Sequence, residues 1–213
     1  MNSMLARCWP LLLAGFFAMA TAHADAVQGR DYRLLAPAQP ATHPGKVEVL
    51  EFFSYGCPHC AHFHPSVTKW ASALPKDAVF VRVPVSFGRR EWGQLVRAYY
   101  ALEATGQLAR FDGALFEAIH EQRKPLFNEE QLAAWIAQQG GDAAKFREAF
   151  NSSDVSQRAQ RADQLSRDYR VSGVPQLAVA GKYVVLGQTY EDMLRIATEL
   201  VTKAQPEAAA QTH

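Results

Sequence analysis

Cys57-Pro58-His59-Cys60 constrains this chain more than any other stretch. Ahead of it, Lys46 to Ser54 is nearly continuously apolar, as expected of a strand covered on both faces, with Glu51 as the exception. Tyr55-Gly56 turns the chain, and Cys60 to Leu74 reads as a helix. Both cysteines therefore fall where a strand switches to a helix. A helix N-terminus carries partial positive charge from unpaired N–H groups and aligned peptide dipoles. Such an end favours an anion, here a thiolate, so Cys57 is expected to have a lowered pKa and to be the attacking nucleophile, exposed near the helix end. Cys60, three residues on, can reach back and close a disulfide. Two cysteines at this spacing beside a βα unit are a redox pattern.

The first 24 residues read as a secretory signal peptide. Arg7 supplies the positive end, Leu11 to Ala20 is an apolar run of ten, and Ala22-His23-Ala24 is a small-x-small cleavage site. The run is too short for a membrane span, which needs roughly 20 residues. The expected mature protein is therefore soluble and exported. Cys8 leaves with the signal, so only Cys57 and Cys60 remain. A disulfide closing so short a loop stabilises little, which points to chemistry rather than a staple. Loss of Arg7 takes the net charge from +1 to about 0 (+1 − 1), so no excess charge suggests nucleic acid or an anionic membrane surface as a partner.

Along the chain, Tyr32–Leu35 reads as a first strand and Pro37–Gly45 as a loop. Val79–Val85 is the next strand, with Pro84 expected at its end or at a bulge because proline cannot donate to a ladder. Pro65 should kink the first helix by removing one ladder bond. From Gly88 the spacing turns helical. Gln94–Ala104, Leu108–His120 and Glu129–Gln138 carry 3.6-residue periodicity, with Asn128 and Gln131 placed for a capping box. Asp142 starts a short helix to Phe150, and Val155–Tyr169 leads back to the core. Val174–Val179 and Tyr183–Leu186 form a hairpin around Ala180-Gly181-Lys182. Tyr190–Lys203 is the last helix and Ala204–His213 a flexible tail. The order is β, β-α-β, a helical block, α, β-β-α. It predicts an α/β domain made of 25–87 and 163–204, with a helical domain inserted over 88–162 and a tail from 205.

The residue types admit a second reading, a metal site built from Cys57, Cys60, His62 and His64. Residues 62 and 64 lie about 200° apart on a helix, so they cannot both face one ion. Ala61 follows Cys60, which excludes a c-type haem attachment. Glu51 is a carboxylate in a buried strand, where a lone charge is costly. Arg82, expected on the adjacent strand, could pair with it. Glu51 is either half of a structural ion pair or a proton acceptor for Cys60. His62, His64 and His120 are read as helix-surface residues. Trp70, Trp92 and Trp135 are read as core or seam aromatics, and Tyr55 as core with a place on the rim of the site.

Glu51-Phe52-Phe53-Ser54-Tyr55-Gly56-Cys57-Pro58-His59-Cys60, Gly173-Val174-Pro175 and Gly181-Lys182-Tyr183, with the exported address and the helical block, resemble the DsbA family of periplasmic thiol–disulfide oxidases. The resemblance implies a thioredoxin fold with a helical domain inserted between its βαβ and ββα halves. It implies a Cys57–Cys60 disulfide, donated to reduced exported proteins through a mixed disulfide at Cys57. No separate cofactor or metal is then needed. An inner-membrane oxidase resembling DsbB would reoxidise the pair and pass electrons to quinone. Pro58 is then the first helical residue, and His59 tunes the Cys57 thiolate. Pro175 is a cis-proline facing the cysteines. Val174 tunes substrate release, and Val174, Pro175 and Gln176 offer an edge to an extended peptide. A monomer is expected. An isomerase or reductase uses the same chemistry, and a metal-binding or chaperone-like module remains the contrasting class.

Overall fold

The structure, a computed structural model, describes residues 25–210. The expected signal peptide lies outside the described residues, as do residues 211–213.

The strands are β1 (Tyr32–Leu34), β2 (Val47–Phe53), β3 (Ala78–Pro84), β4 (Gln176–Val179) and β5 (Tyr183–Val185). They form one sheet in the order β1-β5-β4-β2-β3. β2 and β3 run parallel, and every other pair is antiparallel. Parallel neighbours need a crossover, and α1 (Pro58–Ser72) provides it. All seven residues of β2 are buried, as a central strand requires. Pro84 is the last residue of β3 and leaves the ladder intact.

Alternation along β2 splits the core. Val47 and Val49 pack with Phe63 and Val67 of α1 and with Ile196 and Leu200 of α7 (Tyr190–Ala210). Leu50 and Phe52 face the other way, and Phe52 meets Tyr169 at 5.2 Å between ring centroids. The helical block comprises α2 (Arg90–Ala104), α3 (Leu108–His120), α4 (Glu129–Gln138) and α5 (Ala143–Phe150), and α6 (Ser153–Asp168) returns to the sheet.

Local chemistry starts these helices. The Asn128 side chain accepts from Gln131 N at 3.0 Å, Asp142 from Lys145 N at 3.0 Å, and Ser152 from Val155 N at 3.2 Å. The Gln131 side chain accepts from Phe127 N at 3.1 Å, one residue before the amide that a capping box would use.

Several boundaries shift by one or two residues, and three of the differences bear on packing or on the site. α2 starts at Arg90, ahead of Gln94. β4 starts at Gln176, after the cis Val174-Pro175 peptide. α7 runs on to Ala210, so the tail expected to be flexible from Ala204 is helical to that point. Its last turns are held by the Lys182–Glu207 ion pair, by Gln205 donating to Asp77 at 3.1 Å and by burial of Ala204. No described helix is long and apolar enough to cross a membrane.

Candidate active site

Cys57 is the N-cap of α1, with extended backbone angles (φ −98°, ψ 118°), and Pro58 follows inside the first turn. Proline suits that position because the amide it lacks would have no helical partner. The loop ahead is closed by Cys57 N donating to Ser54 O at 3.1 Å and Gly56 N donating to Ser54 Oγ at 3.2 Å. Trp92 lies against Gly56 so closely that a methyl group there would sit 2.5 Å from its Nε1. A Cβ at this position, just before Cys57, would therefore require Trp92 to move.

Cys57 and Cys60 are both free thiols here, the reduced state of the couple. Cys57 is 6% exposed and Cys60 is fully buried. The expectation of an exposed Cys57 is thus corrected. The turn at Val174-Pro175 roofs the sulfur, and the Cys57 thiol, when protonated, donates to Val174 O at 3.4 Å. Pro175 is cis and sits beside the cysteines, as the resemblance implied.

The two thiols differ sharply. A hydrogen bond from the Cys60 thiol, then the amides of Cys60 and His59 and the charge of the His59 ring, lower the Cys57 pKa to about 6, against the opposing effect of burial. Burial pushes the Cys60 thiol far up, and the neighbouring Cys57 and Glu51 charges add to the rise. One sulfur is therefore a thiolate at neutral pH and the other keeps its proton. His59 itself is exposed.

Glu51 and Arg82 pair as expected, with Arg82 Nε donating to Glu51 Oε2 at 2.6 Å. The parallel register sets them side by side on adjacent strands. The guanidinium lies 3.7 Å from the Phe53 ring centroid and also binds Asp112 of α3. Burial, partly offset by Arg82, raises the Glu51 pKa.

Several readings change. His64 and His120 are not surface residues. His64 stacks near Phe116, 5.0 Å between ring centroids, and His120 Nε2 lies 2.7 Å from Tyr55 O, so both belong to the seam between α1 and α3. Tyr55 is buried, not on the rim, and its hydroxyl donates to Asp112 at 2.5 Å. Gln176 spends its side-chain amide on Val185 O at 2.6 Å and pairs with Phe52 in the ladder. Its side chain is thus committed within the sheet. Trp135 is core and Trp92 and Trp70 are partly buried, as expected.

The sequence reading missed Asp112 and Tyr190. Tyr190 packs on Phe63 and its hydroxyl donates to His59 O at 3.0 Å, which fixes the first turn of α1 from the far end of the chain. Asp112 had a signal: it stands four residues before Phe116, between Phe111 and Leu115 on the buried side of its helix.

A family model described as a DSBA-like thioredoxin domain matches residues 48–198. The chain is 39% identical over 206 residues to the thiol:disulfide interchange protein DsbA of Bordetella parapertussis, covering 92% of this chain and 96% of that one. It is 36% identical over 201 residues to the DsbA of Pseudomonas aeruginosa, covering 93% and 95%. Among solved structures, P. aeruginosa DsbA superposes with a TM-score of 0.81 at 37% identity, covering 84% of this chain and 95% of that chain. The oxidoreductase DsbA from Xylella fastidiosa gives 0.80 at 38%, covering 84% and 98%.

Proposed function

The chain belongs to the DSBA-like thioredoxin family and is a thiol:disulfide oxidoreductase, and from that premise we propose that it works as a dithiol oxidase of exported proteins in the periplasm. The reading rests on one observation above the others: two thiols one helical turn apart, one lowered to about 6 and the other raised by burial.

A substrate thiolate attacks Cys57 Sγ of the Cys57–Cys60 disulfide and Cys60 departs. A second substrate thiolate then attacks the substrate sulfur of the mixed disulfide. The substrate leaves oxidised and Cys57 leaves as a thiolate. Because that thiolate is stabilised, the reduced enzyme is favoured and the disulfide is a strong oxidant. Val174 and Pro175 present the backbone edge beside Cys57 along which an extended peptide can lie. Glu51 exchanges the Cys60 proton. A membrane oxidase resembling DsbB restores the disulfide with quinone as the electron acceptor, and the enzyme acts as a monomer.

The test is the ultraviolet thiolate absorbance of the reduced mature protein against pH, with Cys57→Ser as reference. A transition near pH 6 that vanishes in the variant supports an oxidase. A transition near the free-cysteine value of ~8.5 moves the protein to a reductase.

A further inference from the structure

Glu51, Arg82 and Asp112 form a buried cluster from three elements, β2, β3 and α3. Arg82 donates one bond to Glu51, at 2.6 Å, and two to Asp112, at 2.7 and 2.6 Å. Tyr55 adds a third bond to Asp112, and His64 Nε2 stands 3.7 Å from it. Among the described residues, Glu51 Oε1 and Arg82 Nη2 are buried without a hydrogen-bond partner.

The groups facing this cluster are Cys60 from α1 and Tyr99 from α2, which sense Glu51, and Tyr55 from the turn before α1 and His64 from α1, which sense Asp112 and Arg82. Burial keeps both tyrosines neutral and pushes the His64 pKa down. With two carboxylates ionised, one guanidinium leaves a surplus negative charge beside Glu51, whose side chain is fully buried while that of Asp112 is 19% exposed, and a buried surplus charge is costly. A proton relieves it. Asp112 holds three hydrogen bonds, whereas Glu51 holds one and keeps a free oxygen, so the geometry puts the proton on Glu51 Oε1.

We propose that Asp112, from the helical insertion, is a positioning residue for thiol–disulfide exchange: by engaging Arg82 twice it limits the guanidinium's hold on Glu51 and keeps Glu51 able to carry the proton that Cys60 takes up. The inference rests on the role of Glu51 proposed above. When substrate thiolate bonds to Cys57 Sγ, the Cys57–Cys60 bond breaks and its electron pair goes to Cys60 Sγ. The Glu51 proton passes to that sulfur, leaving a carboxylate and a neutral buried thiol. The disulfide is the oxidant, and the reverse step returns the proton.

The experiment follows the infrared C=O band of the protonated Glu51 carboxyl against pH in the oxidised mature protein, assigned by its loss in Glu51→Gln. Alongside it runs the pH profile of mixed-disulfide formation with a reduced cysteine peptide. Wild-type Glu51 should titrate above the ordinary ~4.3 of glutamate. Asp112→Asn should lower its midpoint by at least about one pH unit, which is tenfold in proton affinity, and slow exchange at neutral pH. Asp112→Glu should restore both. In Glu51→Gln, Asp112→Asn should change nothing further in the pH profile.

An ordinary wild-type Glu51 midpoint overturns the proposal even if no Asp112 variant folds. So does a folded Asp112→Asn with an unmoved midpoint, or one whose effect persists undiminished in Glu51→Gln. If Glu51→Gln alone leaves exchange and its pH profile untouched, the reading of Glu51 fails and takes the proposal with it. If Glu51→Gln slows exchange and Asp112→Asn does not, that reading stands and only the proposal falls.

Discussion

At the open end of α1, a negative charge on Cys57 meets the Cys60 thiol, two backbone amides and the His59 ring. One turn deeper, at the seam with α3, a charge on Cys60 would meet burial, the Cys57 sulfur and Glu51. The first region stabilises an anion with fixed donors and partial access to water. The second buries Glu51 completely and gathers its carboxylates around one arginine. Depth, not residue type, separates two cysteines in the same motif. The proposed division of labour follows from it, with the outer sulfur attacked and leaving easily and the inner one calling for a proton partner.

The sharpest way to break this contrast is to remove the seam's cation. Arg82→Met leaves two carboxylates without it, and breaking a buried pair costs about 3–5 kcal/mol. Denaturant midpoints should fall accordingly. The loss should be larger at pH 8 than at pH 5, because acid neutralises the stranded carboxylates. A loss below about 1 kcal/mol at both pH values would mean that the seam is wetter than its burial implies.

A second perturbation acts behind the open end. Gly56→Ala must displace Trp92, since the added carbon would lie 2.5 Å from its Nε1. Overpacking of this kind costs about 1–3 kcal/mol. The reduced thiol should also lose some of its low pKa as the turn before Cys57 shifts. A variant as stable as wild type, with the same thiolate titration, would show that Trp92 swings away freely.

The open end can also be read from stability. The Cys57 pKa is about 6 in the folded reduced protein and ~8.5 when unfolded. Below pH 6 both states hold the proton and the site contributes nothing. Between the two values the unfolded chain binds more protons, so stability rises with pH, and above ~8.5 the gain is complete. Solvent screening holds it to about 1–2 kcal/mol. Denaturant midpoints of reduced wild type minus Cys57→Ser should therefore grow from pH 5 to pH 9. A flat difference would remove the stabilised thiolate, and with it half of the contrast.

Much of this was readable along the chain because it is local. The βα switch, the caps Asn128 and Asp142 and the placement of Pro84 depend on neighbours a few residues away. Glu51 and Arg82 were readable as partners because parallel strands flanking one crossover helix fall side by side. What escaped depends on distant contacts. Val174 covers Cys57 from 117 residues away, which is why the nucleophile is more buried than its place at a helix end suggests. Tyr190 reaches His59 across 131 residues. The last turns of α7 meet distant partners, Glu207 pairing with Lys182 on the hairpin and Gln205 donating to Asp77. The composition of that tail carries no sign of its partner.

The smallest expected effect tests how the open end does its work. The resemblance makes His59 the tuning residue, yet its ring charge comes after the Cys60 thiol and the helix amides among the groups that lower the Cys57 pKa. His59→Ala leaves those donors in place, and Tyr190 grips only the carbonyl of residue 59, which alanine keeps. The thiolate transition should rise by about one pH unit, equivalent to ~1.4 kcal/mol, and stay well below the free-cysteine value. If it climbs to ~8.5, a single exposed ring carries the whole stabilisation. The contrast between α1's open end and its seam would then reduce to one side chain rather than to depth.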